Sequence, residues 1–429
     1  MQKYRLKEPT MEFSRKYYLK ELVDSERTNI IKVITGLRRS GKSYLLFEIF
    51  KKHLLEEGVC IDHIIDIRLD NPMYSDLRDS KALFEKIKSL SSGEGFYYVL
   101  LDEIQLVPQF EETLNGLLYN KKLDIYVTGS NSRFLSSDIV SEFRGRSKEI
   151  RVYPLAFSEL KEAFPSKTDD EVWNDCSSFG GMPYTYELKD RNEKTKYLKD
   201  LFELTYLDDI SERYNLANDK DLLELTGILA SDIGGLTNPR KLSDSFNSRK
   251  GSRISDDTVS KYIDHLQDAF LIEKAQRYDV RGKRYIGSPF KYYFTDIGIR
   301  NAVLNFRQLE QTHIMENIIF NELKIAGYSV DIGNVFYPVA GKNGIVHRQG
   351  SEIDFVVNSP DGNRVYIQSA FSIPDSEKML QEKKSLSLTK DSFRKIIVCK
   401  DDPNRWFDEE GILHLPLFMF LSNTSSFLE

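Results

Sequence analysis

Gly36-Leu37-Arg38-Arg39-Ser40-Gly41-Lys42-Ser43 decides the reading of this chain. It fits the Walker A pattern, a glycine, four residues and then Gly-Lys-Ser, at every defined position. The flanks agree. Ile30-Ile31-Lys32-Val33-Ile34-Thr35 reads as an apolar strand entering the loop. Residues 43–50 read as a helix leaving it, with Leu45, Leu46, Ile49 and Phe50 on one face. In such a loop the backbone N–H groups converge on phosphate oxygens, and the helix N-terminus adds partial positive charge. The stretch from Gly36 to Tyr44 is therefore expected to wrap the phosphates of a nucleotide. Lys42 would reach the β- and γ-phosphates, and the Ser43 hydroxyl would ligate Mg²⁺. A chance match in a Gly-rich turn would not bring this strand and helix with it.

Downstream, Phe96-Tyr97-Tyr98-Val99-Leu100-Leu101 reads as a central parallel strand, apolar on both faces, and runs into Asp102-Glu103. Paired carboxylates at that end form a Walker B signature: Asp102 for the Mg²⁺ shell, Glu103 to polarise an attacking water. Many strands end in acidic turns, so the spacing from the Walker A loop carries this assignment. Residues 123–128 form the next buried strand and lead into Gly129-Ser130-Asn131-Ser132. Ser130 and Asn131 are candidates to hydrogen-bond the γ-phosphate or the water. The alternative is a turn that uses them for backbone tolerance. Arg146, and after it Arg144, are candidates for an arginine finger acting on a neighbour's nucleotide; a solvated surface arginine is the competing reading.

The chain has 429 residues, more than one hydrophobic core normally holds, so two or three domains are expected. Its net charge of −6 gives no global attraction to nucleic acid or anionic membrane, so such a contact needs a local basic patch. Cys60, Cys176 and Cys399 lack metal-ligand spacing, which points away from a zinc site or disulfide framework. No apolar stretch approaches the ~20 residues of a membrane helix. The start, Met1-Gln2-Lys3-Tyr4-Arg5, is not followed by the apolar run of a signal peptide. A cytoplasmic location is expected.

Several local patterns converge: the Walker A loop with its double arginine, Asp102-Glu103-Ile104-Gln105, Thr128-Gly129-Ser130-Asn131-Ser132 and Gly145-Arg146. To these add Pro154-Leu155-Ala156-Phe157-Ser158-Glu159-Leu160 and Phe179-Gly180-Gly181-Met182-Pro183. Together they resemble the prokaryotic AAA+ ATPases that carry a C-terminal restriction-endonuclease-like domain of unknown function. The resemblance implies that Gly181 and Pro183 belong to a small helical lid near the adenine or ribose. Without it, Gly-Gly-x-Pro needs only to terminate a helix.

Residues 160–235 read as helices. Asn238-Pro239, a helix through Leu242 and Phe246, a helix start at Ser255-Asp256-Asp257-Thr258 and two strands at residues 271–275 and 292–296 have the layout of a winged helix. Arg277-Tyr278-Asp279-Val280-Arg281-Gly282-Lys283-Arg284-Tyr285 interleaves bases with aromatics, as a nucleic-acid surface does. The helix beside it offers Asp264, Gln267 and Asp268, which would repel phosphates, so protein contact or lid packing fits equally. Near the C-terminus, Asp354 and Gln368 fall at the metal-binding positions of a restriction-like nuclease, and Glu316 is the candidate helix acid. Ala370 stands where such enzymes need lysine, so this domain is expected to have lost catalysis.

The expectation is an α/β protein. It comprises a P-loop AAA+ core (1–160), a helical lid (161–235), a winged helix (236–300) and a degenerate restriction-endonuclease-like domain (301–429). Its cofactors would be ATP and Mg²⁺, and its activity ATP hydrolysis coupled to an unknown protein partner, with a homo-oligomer implied by a finger acting in trans. A slow nucleotide-gated switch carries the same motifs. An ATP-licensed nuclease or DNA-binding protein is the further alternative.

Overall fold

The computed structural model describes residues 11–129, 143, 145–216, 219–249, 253–340, 346–359 and 361–428. The chain divides into two units, Met1–Pro154 and Leu155–Glu429.

The first unit is built on five parallel strands: β1 (Ile31–Thr35), β2 (Ile64–Arg68), β3 (Tyr97–Asp102), β4 (Leu123–Thr128) and β5 (Ser147–Arg151). Their order is β2-β3-β4-β1-β5. Every residue of β1, β3 and β4 is buried, as in a sheet covered on both faces. The pleat divides the side chains. Val33, Val99, Leu101, Ile125 and Val127 enter one core, while Ile34, Tyr98, Leu100 and Tyr126 enter the other with Leu45, Leu46 and Phe50. The helix after the loop runs Lys42–Tyr44, widens to a π-helical Leu45–Phe50 and continues as Lys51–Glu56. Because β4 lies between β1 and β3, its last residue, Thr128, falls between the Walker A and Walker B strands. Toward the opposite end of the sheet, a fully buried Lys32–Asp124 ion pair joins β1 to β4, and Asp124 also accepts from the Tyr126 hydroxyl at 2.8 Å and the Arg27 N–H at 2.9 Å. Those extra donors satisfy a carboxylate that would otherwise be costly to bury.

The second unit opens with helices Phe157–Ala163 and Asp169–Phe179. The latter starts at a reciprocal cap, Glu171 N–H to the Thr168 hydroxyl and Thr168 N–H to the Glu171 carboxylate. Helices Pro239–Arg249 and Asp256–Asp268 precede β6 (Ile272–Asp279) and β7 (Arg284–Phe294). These strands pair as a hairpin, yet they do not stand apart as a wing. Arg277–Asp279 of β6 pairs in parallel with Ile332–Asn334 of β8 (Ser329–Ala340). The sheet continues through β9 (Val346–Asn358), β10 (Arg364–Ala370), β11 (Arg394–Cys399), β13 (Leu413–Pro416) and β12 (Trp406–Phe407), eight strands in all among the described residues. The expected division at residue 300 thus falls inside a unit held by one sheet. Helix Asp256–Asp268, whose acids would repel phosphates, is partly covered: His265 stacks on Tyr214 at 3.4 Å, and the Tyr214 hydroxyl donates to Asp268. Among the described residues no helix is long and apolar enough to cross a membrane.

Helix Gln311–Ile325 buries Glu322, whose carboxylate accepts from the Phe157 N–H at 2.7 Å. Burial pushes this carboxyl up to about 8, against the pull of that single N–H. The folded state therefore holds the proton more tightly than the unfolded chain. The associated stability is present below the ordinary carboxyl pKa and is lost as pH rises through 8. Glu322→Gln is expected to change stability by less than about 1 kcal/mol at pH 5 and to raise it at pH 9 by about 5 kcal/mol, read from melting curves at both pH values.

Candidate nucleotide site

The phosphate loop is shaped by three backbone positions. Gly36 has φ 129°, and a Cβ there would lie 2.1 Å from the Val152 carbonyl oxygen, so only glycine lets the chain pass. Arg39 at φ 67° and Gly41 at φ 98° then turn the loop into its helix. Leu37 and Ser40 are buried, while Arg38 and Arg39 project outward. The loop is braced from beneath by a residue that no motif announces. Arg15, 1% exposed, donates to the Ser40 carbonyl at 2.9 Å and the Tyr153 carbonyl at 2.5 Å. Tyr44 turns its hydroxyl toward the Phe13 backbone, so what it offers a phosphate is its own N–H.

Lys42 folds back over the loop and donates to the Gly36 and Leu37 carbonyls, each at 3.0 Å. Burial lowers its ammonium to about 8, with Glu103 and Asp102 pulling the other way. The Ser43 hydroxyl donates to Asp102 Oδ1 at 3.0 Å, and the Thr128 hydroxyl donates to the same oxygen. Asp102 is 3% exposed, and burial raises its carboxyl above the usual range despite these two donors. The Glu103 N–H donates to Thr128 Oγ1 at 3.1 Å, and Glu103 sits at φ 52°, a left-handed conformation that a non-glycine residue adopts only under constraint. Its carboxylate accepts from the Gln105 amide. Five expected residues thus converge, Gly36, Lys42, Ser43, Asp102 and Glu103, with Thr128 as their junction. Ser43 Oγ and Asp102 Oδ1 form a hydroxyl–carboxylate pair that fits a hard divalent cation.

Other expected residues fall elsewhere. Ser130, Asn131 and Arg144 lie outside the described residues. Arg146 is exposed, and its carbonyl accepts from the Ile31 N–H at 2.9 Å. It therefore stands beside the start of β1, roughly 13 Å along the strand from the loop. Gly181 and Pro183 belong to the second unit. There Gly180 and Gly181 wrap the buried Asp296, which accepts from the Gly181 N–H at 2.7 Å and caps helix Ile297–Val303. A Cβ on Gly180 would lie 2.3 Å from that carboxylate, and one on Gly181 would meet the Leu155 backbone. Pro183 opens the 3₁₀ turn Pro183–Tyr186.

The nuclease-like positions also come together in the second unit. Asp354 accepts from Gln368 Nε2 at 3.1 Å and from the Ser369 N–H at 2.8 Å. Ala370 supplies no cation, but a lysine from another strand does. Lys291 of β7 reaches Glu316 at 2.9 Å and Glu352 at 2.7 Å. Burial pulls its ammonium down, and these carboxylates outweigh it, so Lys291 is held charged. Asp354 is pushed up to about 7 by burial and by the charge of Glu316.

Comparison with known proteins agrees with the first unit's architecture. Residues 28–161 match the family described as an AAA domain, and residues 170–310 match one described as a domain of unknown function, DUF8612. An uncharacterized protein of Haemophilus influenzae is 33% identical over 390 residues, spanning 90% of this chain and 92% of that protein. One from Methanocaldococcus jannaschii is 29% identical over 364 residues, 82% of this chain and 76% of its own length. Among solved structures, the Aeropyrum pernix ORC1 protein in complex with DNA aligns with a TM-score of 0.30 and 14% identity, over 69% of this chain and 93% of that one. The chain belongs to the same family as the Haemophilus protein and carries an AAA domain over residues 28–161.

Proposed function

We propose that the first unit is a Mg²⁺-dependent ATPase. The observation that carries this reading is the Ser43–Asp102–Thr128 junction, which sets a cation-binding pair and Glu103 around the end of the phosphate loop. ATP would enter with its phosphates on the loop N–H groups from Gly36 to Tyr44. Lys42 would release the Gly36 and Leu37 carbonyls and turn to the β- and γ-phosphates. Mg²⁺, when bound, would neutralise charge developing on the phosphoryl oxygens. Glu103 would orient the attacking water and accept its proton, held in place by its N–H bond to Thr128. Arg146 is too far to serve its own loop, so its proposed role is to reach the nucleotide of a second copy in a homo-oligomer. ADP release would then reset the loop, and the nucleotide cycle would drive a protein partner.

A second reading concerns the second unit, and Lys291 is the observation that favours it. With Asp354, Gln368 and Glu316, its ammonium supplies the positive charge that Ala370 cannot, so the unit reads as an ATP-licensed nuclease. Incubating plasmid with ATP and Mg²⁺ or Mn²⁺ is expected to give nicking that Asp354→Asn and Lys291→Gln each reduce at least tenfold, while both variants keep the wild-type circular dichroism. Intact plasmid with the wild-type protein would remove this reading.

Two measurements test the ATPase. Glu103→Gln is expected to lower steady-state hydrolysis at least 100-fold while leaving ATP affinity within threefold of wild type. Tight binding without turnover in both proteins would make the unit a nucleotide-gated switch instead. The second measurement follows protons. Burial lowers the Lys42 ammonium to about 8, so at pH 8.5 most molecules carry it neutral before triphosphate is added. Triphosphate favours the ammonium, so binding takes up about 0.7 proton at pH 8.5 and about 0.1 at pH 7. Calorimetry in buffers of different ionisation enthalpy reads this uptake, and Lys42→Arg is expected to abolish it.

A further inference from the structure

The turn between β6 and β7 and the open ends of β8 and β9 face one another across a cavity of about 510 Å³. Arg281, Phe336, Tyr337, His347 and Arg348 line it. Residues 279–285, 336–339 and 346–350 together carry four lysines or arginines, Arg281, Lys283, Arg284 and Arg348, against a single acid, Asp279. In a chain of net charge −6 this is a local reversal of sign. It belongs neither to the nucleotide site nor to the Lys291 cluster.

The arginines are organised from below. Asp279 is 1% exposed, and its carboxylate accepts from the Gly282 N–H at 2.9 Å, which fixes the turn. The same carboxylate lies 3.4 Å from Arg348 and 4.0 Å from Arg284, whose side chains are 60% and 73% exposed. One buried anion thus steadies two guanidinium groups and leaves most of their five donors each turned to solvent. Arg348 also lies over the Phe336 ring at 4.3 Å, and Lys384 over Tyr337 at 5.2 Å. Cations held flat against aromatic rings beside a cavity suit a ligand with both phosphates and planar bases.

A separate observation concerns how the aromatic wall is placed. Asn334 of β8 is buried, and its Oδ1 has no hydrogen-bond partner among the described residues. Gly350 of β9 lets the Asn334 amide and the Phe336 ring pack against the strand: a Cβ there would lie 2.8 Å from Asn334 Oδ1 and 3.4 Å from the Phe336 ring. The bare glycine thereby lets Phe336, an aromatic wall of the cavity, settle close to β9.

We propose that this face of the two hairpins binds a single-stranded nucleic acid, its phosphates on Arg281, Arg284 and Arg348 and one base in the cavity against Phe336. A base inside a duplex is stacked and paired and does not reach such a cavity.

The test is fluorescence anisotropy of the full chain with a fluorescein-labelled single-stranded 20-mer in EDTA, which keeps binding separate from any cleavage. The Arg281→Ala/Arg348→Ala double variant is expected to bind at least tenfold more weakly. Its slope of log affinity against log salt should fall by about 1.4, at roughly 0.7 per phosphate contact. Gly350→Val leaves the charge unchanged and is expected to lose at least tenfold by displacing the Phe336 ring, with the melting temperature measured alongside. Lys121→Ala/Lys122→Ala, which removes the same charge elsewhere, is expected to change nothing. The proposal is overturned by an equal loss in that control, by duplex or heparin binding as tightly as the single strand, by unchanged binding of Gly350→Val, or by a wild-type protein that does not bind.

Discussion

One carboxylate oxygen, Asp102 Oδ1, holds the first unit's site together. It accepts from Ser43, at the head of the loop helix, and from Thr128, at the end of β4. Three segments far apart in the chain are thereby fixed to one point, and Thr128 passes the constraint to Glu103 through its N–H. The sheet order makes this possible. Were β3 beside β1, no hydroxyl from a third strand would stand between loop and acid. With β4 inserted, Thr128 bonds to both residues of the Asp-Glu pair. Desolvation of Asp102 is only partly offset by its two donors, leaving a buried carboxylate better suited to a cation than to isolation.

The second unit solves the problem of buried charge differently. Asp296 is neutralised by geometry rather than by a cation: it caps a helix and accepts from Gly181, and its carboxyl is pushed up to about 6 by burial. Lys291 instead gathers Glu316 and Glu352, so one ammonium faces more acid than it can balance. The first arrangement is closed and self-sufficient. The second keeps excess negative charge beside Asp354, an arrangement more typical of sites that meet a ligand than of packing alone.

What was legible in the sequence was local. The Walker A loop could be read because its glycines, lysine and serine act within eight consecutive residues. The helix start at Ser255 could be read because a cap involves residues only three apart, and the Ser255 hydroxyl indeed accepts from Thr258 N–H. What stayed hidden depends on contacts between distant positions. Arg15 reaches Ser40 across 25 residues with no motif to mark it. Thr128 looked like the last residue of a strand, and attention fell on the polar Ser130 and Asn131 after it. Lys291 could not be matched to the gap at Ala370, because its strand lies some eighty residues earlier. The parallel pairing of β6 with β8, which makes one sheet of two expected domains, leaves no local trace either. Gly180-Gly181 was visible as a break, but its physical cause, the carboxylate of Asp296, was not.

The lysine of the phosphate loop has a consequence for which molecules the protein ignores. Lys42 is bonded to two carbonyls at the mouth of its own loop. A guest must break both bonds, and at alkaline pH must also bring a proton to the amine. A lone sulfate or orthophosphate offers one cluster of oxygens in exchange. A chain of three phosphoryl groups offers several, spread along the whole loop. The two carbonyl bonds of Lys42 therefore weigh more heavily on a small anion than on a chain of phosphoryl groups, a discrimination set by the loop's own backbone.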